Sequence, residues 1–200
     1  MTEQAVLLRL KGAFKMQSLW GRYRDYYEKI QVPADNRRGF KTEYHYKGEW
    51  YVWDISAEAL KREKIIIVCA EAVSLCLFIF SATRHVGFNA LHVASGLAIL
   101  SMVPLLGELW GVIRFLVVKQ PMICPDFKEI QNCIHFGSIF RALFLFAAVI
   151  AGLAVMIMDG QVYAENLLTA GGHALSGALS LVIFRRFRKL GYHSYKEKAG

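Results

Sequence analysis

Charged residues are nearly absent from four long stretches of this 200-residue chain, although the chain as a whole has a formal net charge of +8. Hydrophobic residues make up 55% of the sequence, which is high for a soluble domain of this size. The positive charge is therefore segregated into particular segments rather than spread over a folded surface. This distribution favours a membrane protein with basic flanking segments and argues against a nucleic-acid binder.

The chain also lacks the motifs that usually accompany catalysis, such as a nucleophile–base pair, a phosphate-binding loop or carboxylates at catalytic spacing. Its four cysteines do not suggest a disulfide framework. Cys69 and Cys76 lie in an apolar stretch, whereas Cys124 and Cys133 lie in a segment predicted to be cytoplasmic. Cys124, Cys133 and His135 match no common zinc spacing. We therefore expect neither an enzyme nor a metal site.

The uncharged stretches predict four transmembrane helices. Their approximate bounds are 65–83, 88–107 with an extension to 118, 136–158 and 167–184. Such runs suit a hydrocarbon core of about 30 Å at a rise of about 1.5 Å per residue. Short turns join the first helix to the second and the third to the fourth. We therefore expect an all-α four-helix bundle over residues 64–187, built from two tandem helical hairpins.

A basic and aromatic segment, residues 1–63, precedes this bundle. Residues 1–31 carry aromatic side chains at helical spacing and predict an amphipathic helix. Residues 40–54 alternate aromatic and polar side chains and predict a β-hairpin. The next helix is expected to start near residue 56, with Asp54 or Ser56 as its N-cap. A segment of this composition suits binding to a protein partner or to anionic lipid.

The positive residues also predict an orientation in the membrane. Thirteen of the 24 Lys and Arg residues precede Ile65, and six follow Phe184. The two short turns between predicted spans contain only Arg84. Because cytoplasmic segments are enriched in Lys and Arg, we expect both termini, including a basic tail at 188–200, and the middle loop to be cytoplasmic.

Two short stretches share the pattern His, two apolar residues, Ser-Gly, at residues 92–96 and 173–177. If they form an internal repeat, His92 and His173 lie at equal depth on the second and fourth helices, which are diagonal in such a bundle. Two imidazoles placed in this way could ligate haem b. The simpler alternative, which we favour, is that no cofactor binds and that each His donates an interhelical hydrogen bond beside closely packed small residues. The small residues predicted to pack are Ser95, Gly96, Gly172, Ser176, Gly177 and Ser180.

Glu71, Glu108 and Arg141 are charged residues that lie within or beside the predicted spans at similar depth. Unpaired charge is costly inside a membrane, so we expect Arg141 to pair with one of the two carboxylates in a buried polar cluster. Ionisable residues at membrane depth can also mark an ion or substrate path.

The sequence thus predicts a non-enzymatic integral membrane protein, either a scaffold or an accessory subunit. Its basic aromatic N-terminal segment is expected to bind a protein partner or anionic lipid. One alternative is a small electron-transfer protein that holds haem b between His92 and His173. A second alternative is a small transporter or channel subunit. The sequence is also compatible with a homo-oligomer.

Overall fold

The computed structural model describes residues 25–33, 39–160 and 162–196, and most of these residues are helical. The helices are α1 (Ala57–Ala82), α2 (Gly87–Ala90), α3 (His92–Leu100), α4 (Met102–Val117), α5 (Cys124–Met158) and α6 (Ala164–Arg188). The strands are β1 (Tyr27–Pro33), β2 (Phe40–Tyr46), β3 (Glu49–Trp53), β4 (Met122–Ile123) and β5 (Tyr192–Lys196).

Four helical segments are long and apolar enough to cross a membrane, which confirms that prediction by length and composition. The first is α1, and the second consists of α3 together with α4. The third is α5 and the fourth is α6. The interruption between α3 and α4 falls at Ser101, three residues before Pro104. A proline has no N–H and its ring crowds the carbonyl one turn earlier, which accounts for a break at this point.

The long helices form a ring in which α1 packs on α6, α6 on α5, and α5 on both α3 and α4. Contact between α1 and α4 is the least extensive of the four neighbouring contacts. At one end of the bundle, Phe88 N–H donates a hydrogen bond of 3.0 Å to Asn166 Oδ1, at the start of α6. We call this the turn end, since residues 83–91, 159–160 and 162–163 lie there.

The opposite end of the bundle carries a three-stranded antiparallel sheet in the order β4-β3-β5, and we call it the sheet end. Trp50 pairs with Ile123 on one side and with Tyr195 on the other. The sheet therefore joins the segment before α1, the segment between α4 and α5, and the segment after α6. Trp53 anchors the sheet on the bundle, with its ring 5.5 Å from that of Phe187.

The structure corrects the predicted hairpin over residues 40–54. A hairpin is present, but β2 pairs with β1, from Tyr27 opposite Tyr46 to Pro33 opposite Phe40. Strand β3 does not pair with β2, because both of its edges are occupied by β4 and β5. These two partners are remote in sequence, whereas the predicted pairing was local.

The predicted helix over residues 1–31 is wrong for its last residues, since Tyr27–Pro33 is strand β1. Antiparallel pairing along the whole of β2 outweighs the helical spacing of the aromatic side chains there. Residues 1–24 lie outside the described part of the chain. Helix α1 begins after Ser56, whose Oγ accepts a hydrogen bond of 3.2 Å from Ala59 N.

Candidate functional site

Three charged side chains from three helices meet at the centre of the bundle. Glu71 lies on α1, Glu108 on α4 and Arg141 on α5; the last two are fully buried and Glu71 is 3% exposed. Helix α6 contributes hydroxyl groups to the same region. We call this group the charge cluster, and its members are Glu71, Ser74, Glu108, Ser138, Arg141, Ser176 and Ser180.

Arg141 contacts both carboxylates with the same nitrogen atom. Its Nη1 lies 2.9 Å from Glu108 Oε2, and 3.3 and 3.4 Å from the two carboxylate oxygens of Glu71. Its Nη2 donates a hydrogen bond of 3.1 Å to Ser176 Oγ. Its Nε is buried and has no partner among the residues that the structure describes. One guanidinium therefore joins α1, α4, α5 and α6.

Glu108 is the more fully satisfied of the two carboxylates. Besides the Arg141 bond, its Oε1 accepts a hydrogen bond of 2.8 Å from Ser138 Oγ. Its Oε2 accepts another of 3.1 Å from Ser180 Oγ. Three donors offset much of the cost of burying this charge, whereas Arg141 is the only donor to Glu71 among the described residues.

Ser74 and Ser176 link α1 to α6 directly beside the guanidinium. Ser74 Oγ donates to the carbonyl oxygen of Ser176 at 3.0 Å, and Ser176 Oγ donates to that of Ser74 at 3.0 Å. Both hydroxyl groups are buried, and each of these bonds gives a hydroxyl the hydrogen-bond partner that water cannot supply there. The reciprocal pair holds Ser176 where its Oγ can accept from Arg141.

Close helix packing is required at this level. An ideal Cβ built on Gly137 would lie 2.6 Å from the backbone nitrogen of Glu108 and 2.8 Å from its Cα. Real Cβ atoms do not approach backbone atoms so closely, so any larger residue would push α5 away from α4. Glycine at this position thus sets the distance at which Arg141 and Ser138 reach Glu108.

The charge cluster contains one carboxylate more than its single guanidinium can neutralise. The side chains that contact the carboxylates besides Arg141 are neutral serines. When both carboxyl groups are ionised, the cluster therefore has a net charge of −1 in a buried site. Such a site can keep the excess charge, take up a proton or accept a small cation.

His173 lies on α6 one turn from Ser176, towards the turn end, and is fully buried. Its ring centroid is 5.8 Å from that of Phe78 and 5.9 Å from that of Phe88. Within the described residues neither ring nitrogen has a hydrogen-bond partner. The interhelical hydrogen bond predicted for this residue is therefore not formed.

His92 occupies a different environment, and the predicted diagonal histidine pair is wrong. It is exposed and is the first residue of α3, because Leu91 before it is not helical. His173, by contrast, lies nine residues into α6, since that helix begins at Ala164. One ring is on the surface and the other is in the core, so the two do not form the bis-imidazole arrangement that haem b requires.

The small residues of α6 lie against neighbouring helices, whereas those of α3 do not. Gly172 faces Ser81 Oγ of α1, and Gly177 faces Leu145 Cβ of α5 at 3.4 Å. Gly96 has open space where a Cβ would lie, and Ser95 Oγ donates to Leu91 O of its own helix turn at 2.9 Å. Ser176 and Ser180 act as hydrogen-bonding groups as well as small residues.

The sheet end contains a second polar group, built around Tyr46. Its hydroxyl donates to Glu49 O at 2.8 Å and accepts from Cys124 N–H at 2.8 Å. Burial raises the pKa of Tyr46 to about 12. Burial also raises the pKa of Tyr51, whose hydroxyl donates to Glu49 Oε2 at 3.2 Å. Both phenols remain neutral, and the hydroxyl of Tyr46 joins β3 to the start of α5.

Cys124, Cys133 and His135 do not converge. Cys124 Sγ lies 3.7 Å from Tyr26 OH, whereas the ring of His135 packs against Phe184 with centroids 5.2 Å apart. Over residues 25–33, 39–160 and 162–196, no group of three His, Cys, Asp or Glu side chains could hold a metal ion.

Sequence reasoning missed Ser138 as a member of the charge cluster. It lies three residues before Arg141 on the same face of α5, so helical periodicity could have identified it. The hydrogen bond from Ser180 to Glu108 depends on how α4 and α6 pack, and no local sequence pattern indicates that packing.

Comparison of the chain with protein-family models, with curated proteins and with solved structures finds no match.

Proposed function

We propose that the chain is an integral membrane protein with four membrane-spanning helices and with both termini on the cytoplasmic side. The observation that carries this proposal is that polar and apolar side chains are distributed in the opposite way to that of a protein folded in water. Charged groups occupy the bundle centre, while large apolar side chains cover its outside, with Val103 72%, Ile150 69% and Leu106 65% exposed. Such a surface is unfavourable in water but matches a lipid environment.

The orientation rests on which segments share an end. Strands β3, β4 and β5 pair with one another, so the segment before α1, the middle connection and the segment after α6 lie together. These segments hold most of the Lys and Arg residues, whereas the turn between α1 and α3 holds only Arg84. A basic sheet end therefore faces the cytoplasm by the positive-inside rule.

Cysteine labelling in intact cells tests the topology. The four native cysteines are first replaced by alanine, and single cysteines are then introduced at Val162, at the turn end, and at Lys196, at the sheet end. A membrane-impermeant maleimide should label the first in intact cells and the second only after permeabilisation. The reverse pattern contradicts the orientation, and labelling of both sites in intact cells contradicts the four-span topology.

The role we propose is that of a scaffold or accessory subunit that presents a binding arm at the cytoplasmic face. The arm is the β1–β2 hairpin, which contacts the rest of the described chain chiefly at its base, where the rings of Tyr46 and Trp50 lie 4.9 Å apart. Beyond the base, Tyr44 is 60% and Ile30 is 40% exposed. A two-stranded hairpin is marginally stable alone, so a protein partner that covers it would stabilise it.

Site-specific photocrosslinking in the native membrane tests this role. A photoreactive residue replaces Tyr44 in one variant and Leu106, on the apolar exterior, in a matched control. We expect a discrete protein adduct from position 44 and predominantly lipid adducts from position 106. If position 44 gives no protein adduct, or if Ile30→Ser with Tyr44→Ser leaves the adduct pattern at a neighbouring hairpin site unchanged, the hairpin is not the binding arm.

A second candidate role, a small transporter or channel subunit, is favoured by the polar interior. The net charge of the charge cluster is one observation, and the buried groups without partners are another. Among the described residues, eight buried side-chain atoms have no hydrogen-bond partner. Four of them, namely Arg141 Nε, Ser81 Oγ and both ring nitrogens of His173, extend from the cluster towards the turn end. Proteoliposomes loaded with a pH-sensitive dye should then show proton uptake that Glu108→Gln abolishes; uptake equal to that of empty liposomes contradicts this role.

A further inference from the structure

A groove opens between α1 and α4 at the sheet end, where the ring of helices is least tightly closed. Its volume is about 550 Å³, and the first turns of α1 and the last turn of α4 form its two walls. Leu116 and Ile65 stand on these walls and are 46% and 52% exposed, so the groove continues into the apolar exterior of the bundle.

Among the described residues, three cationic side chains and no acidic one line the groove. The cations are Lys61 and Lys64 of α1 and Lys119, which follows α4. Lys61 and Lys64 are three residues apart and therefore lie on the same face of α1. The remaining lining residues are neutral, and most of them are apolar. A cationic rim directly above an apolar wall is complementary to an anionic group attached to a hydrocarbon chain.

Lys64 is fixed at the base of this groove. Its Nζ donates to Leu116 O at 3.1 Å and to Val118 O at 2.9 Å, and it thereby satisfies carbonyls at the end of α4. An ammonium group has three donors, so these two bonds leave one for a ligand. Lys61 and Lys119 are both exposed, and the structure gives them no ion pair within the described residues.

We propose that this groove binds an anionic glycerophospholipid of the cytoplasmic leaflet. The headgroup phosphate lies between Lys61, Lys64 and Lys119, and an acyl chain lies along Leu116 and Ile65. Basic pockets between membrane helices on the cytoplasmic side favour anionic headgroups in this way. An acidic peptide fits less well, because the apolar wall runs along the bundle and away from the polar sheet end.

This inference rests on the proposed membrane insertion and makes its lipid contact specific. It places a lipid on the bundle itself, whereas the arm that binds a protein partner is the β1–β2 hairpin. The described residues of the hairpin contribute nothing to the lining of this groove.

Native mass spectrometry of the full-length protein tests the proposal. The protein is released from detergent after equilibration with phosphatidylglycerol or with phosphatidylcholine, and the lipid that remains bound is titrated. We expect one phosphatidylglycerol to be retained in preference to phosphatidylcholine. The variant Lys61→Gln with Lys119→Gln should bind phosphatidylglycerol about 25-fold more weakly, since each lysine near an anionic lipid contributes about fivefold. The control, Arg62→Gln with Lys189→Gln, removes the same charge elsewhere at the sheet end and should bind as the wild type does.

Three outcomes overturn the proposal. The first is equal retention of the two lipids by the wild type, and the second is equal weakening of phosphatidylglycerol binding in the double variant and in its control. The third is a rise in unfolding temperature with inorganic phosphate alone that equals the rise with phosphatidylglycerol. The last would mean that the site takes free phosphate. Failure of the proposed membrane insertion is distinguishable, since it would change the cysteine-labelling pattern, which these lysine substitutions do not affect. Both lysines are exposed, so a normal unfolding temperature of each variant verifies that it has folded.

Discussion

Arg141 Nη1 lies 2.9 Å from Glu108 Oε2 and is thereby bonded to a carboxylate that two serines also hold. The same nitrogen lies 3.3 Å from Glu71 Oε1. The guanidinium is fully buried, so neither carboxylate is screened from it by water. The two carboxylates differ in the hydrogen bonds that they accept besides those from Arg141. Because of this difference, double variants can separate the contributions of the two ion pairs to stability.

Replacing Arg141 by leucine should destabilise the bundle by about 3–5 kcal/mol, because it leaves two buried carboxylates without a cation. Adding Glu71→Leu should recover more of this loss than adding Glu108→Leu, because Glu108 keeps the hydrogen bonds from Ser138 and Ser180, whereas Glu71 is left without a donor among the described residues. Unfolding of the purified protein in mixed micelles measures all three variants. Failure of both double variants to recover any stability would show that the ion pairs do not stabilise the fold.

Gly137→Ala should destabilise the bundle by about 1–3 kcal/mol, as expected for overpacking. The added methyl group would meet the backbone of Glu108, which cannot rotate away as a side chain could. Gly107→Ala is the matched control, because nothing lies within 4 Å of the added carbon and alanine favours helix. Comparable unfolding curves for the two variants would contradict close α4–α5 packing.

His173→Phe should change stability by less than about 1.5 kcal/mol, because the two rings are similar in size and neither nitrogen of His173 has a partner in the described structure. His92→Ala should change it by less than about 0.5 kcal/mol, as for other exposed residues. Thermal unfolding in detergent measures both. A large loss for His173→Phe would reveal a hydrogen-bonding partner, such as a bound ligand, that the described residues do not provide.

Tyr46→Phe should cost about 1–3 kcal/mol, because it removes a hydroxyl that bridges Glu49 O and Cys124 N–H. Tyr44→Phe removes a hydroxyl from the same strand, at a position that is 60% exposed, and it should have little effect. Hydrogen exchange at β3 and at the start of α5 reports the loss locally. Unchanged exchange in Tyr46→Phe would contradict the bridging role.

The raised pKa of Tyr46 should make the stability of the fold sensitive to alkali. The pKa of Tyr46 is raised by burial from 10.0 to about 12, so the unfolded chain loses this proton at a lower pH than the folded protein. The contribution of Tyr46 to stability is therefore complete below 10.0 and is lost as the pH rises from 10.0 towards 12. Unfolding measured across this interval should show a smaller decrease in Tyr46→Phe than in the wild type.

Local patterns were sufficient to predict the four apolar helices and the three charged residues that meet between them. An apolar run of the right length has few alternatives, and a charged residue within one needs a partner. The sequence could not decide between Glu71 and Glu108, because that depends on the packing of α1 and α4 around α5. The structure places both carboxylates on Arg141.

The histidine repeat misled the prediction because similarity of sequence does not fix depth within a helix. His92 begins α3 and is exposed, whereas His173 follows two complete turns of α6 and is buried.

The strand pairings of β3 were missed for a different reason. Trp50 pairs with Ile123 and with Tyr195, and contacts over such distances in sequence leave no periodic signal.

The β4-β3-β5 sheet also has a consequence for biosynthesis. Strand β3 leaves the ribosome before any of the long helices, but its partner β5 is the last described element to emerge. Until then one edge of β3 has unpaired backbone groups, which are prone to pair with other chains. A nascent chain that stops before Tyr192 would keep this edge open, so closure of the sheet distinguishes chains that contain β5 from shorter ones that lack it.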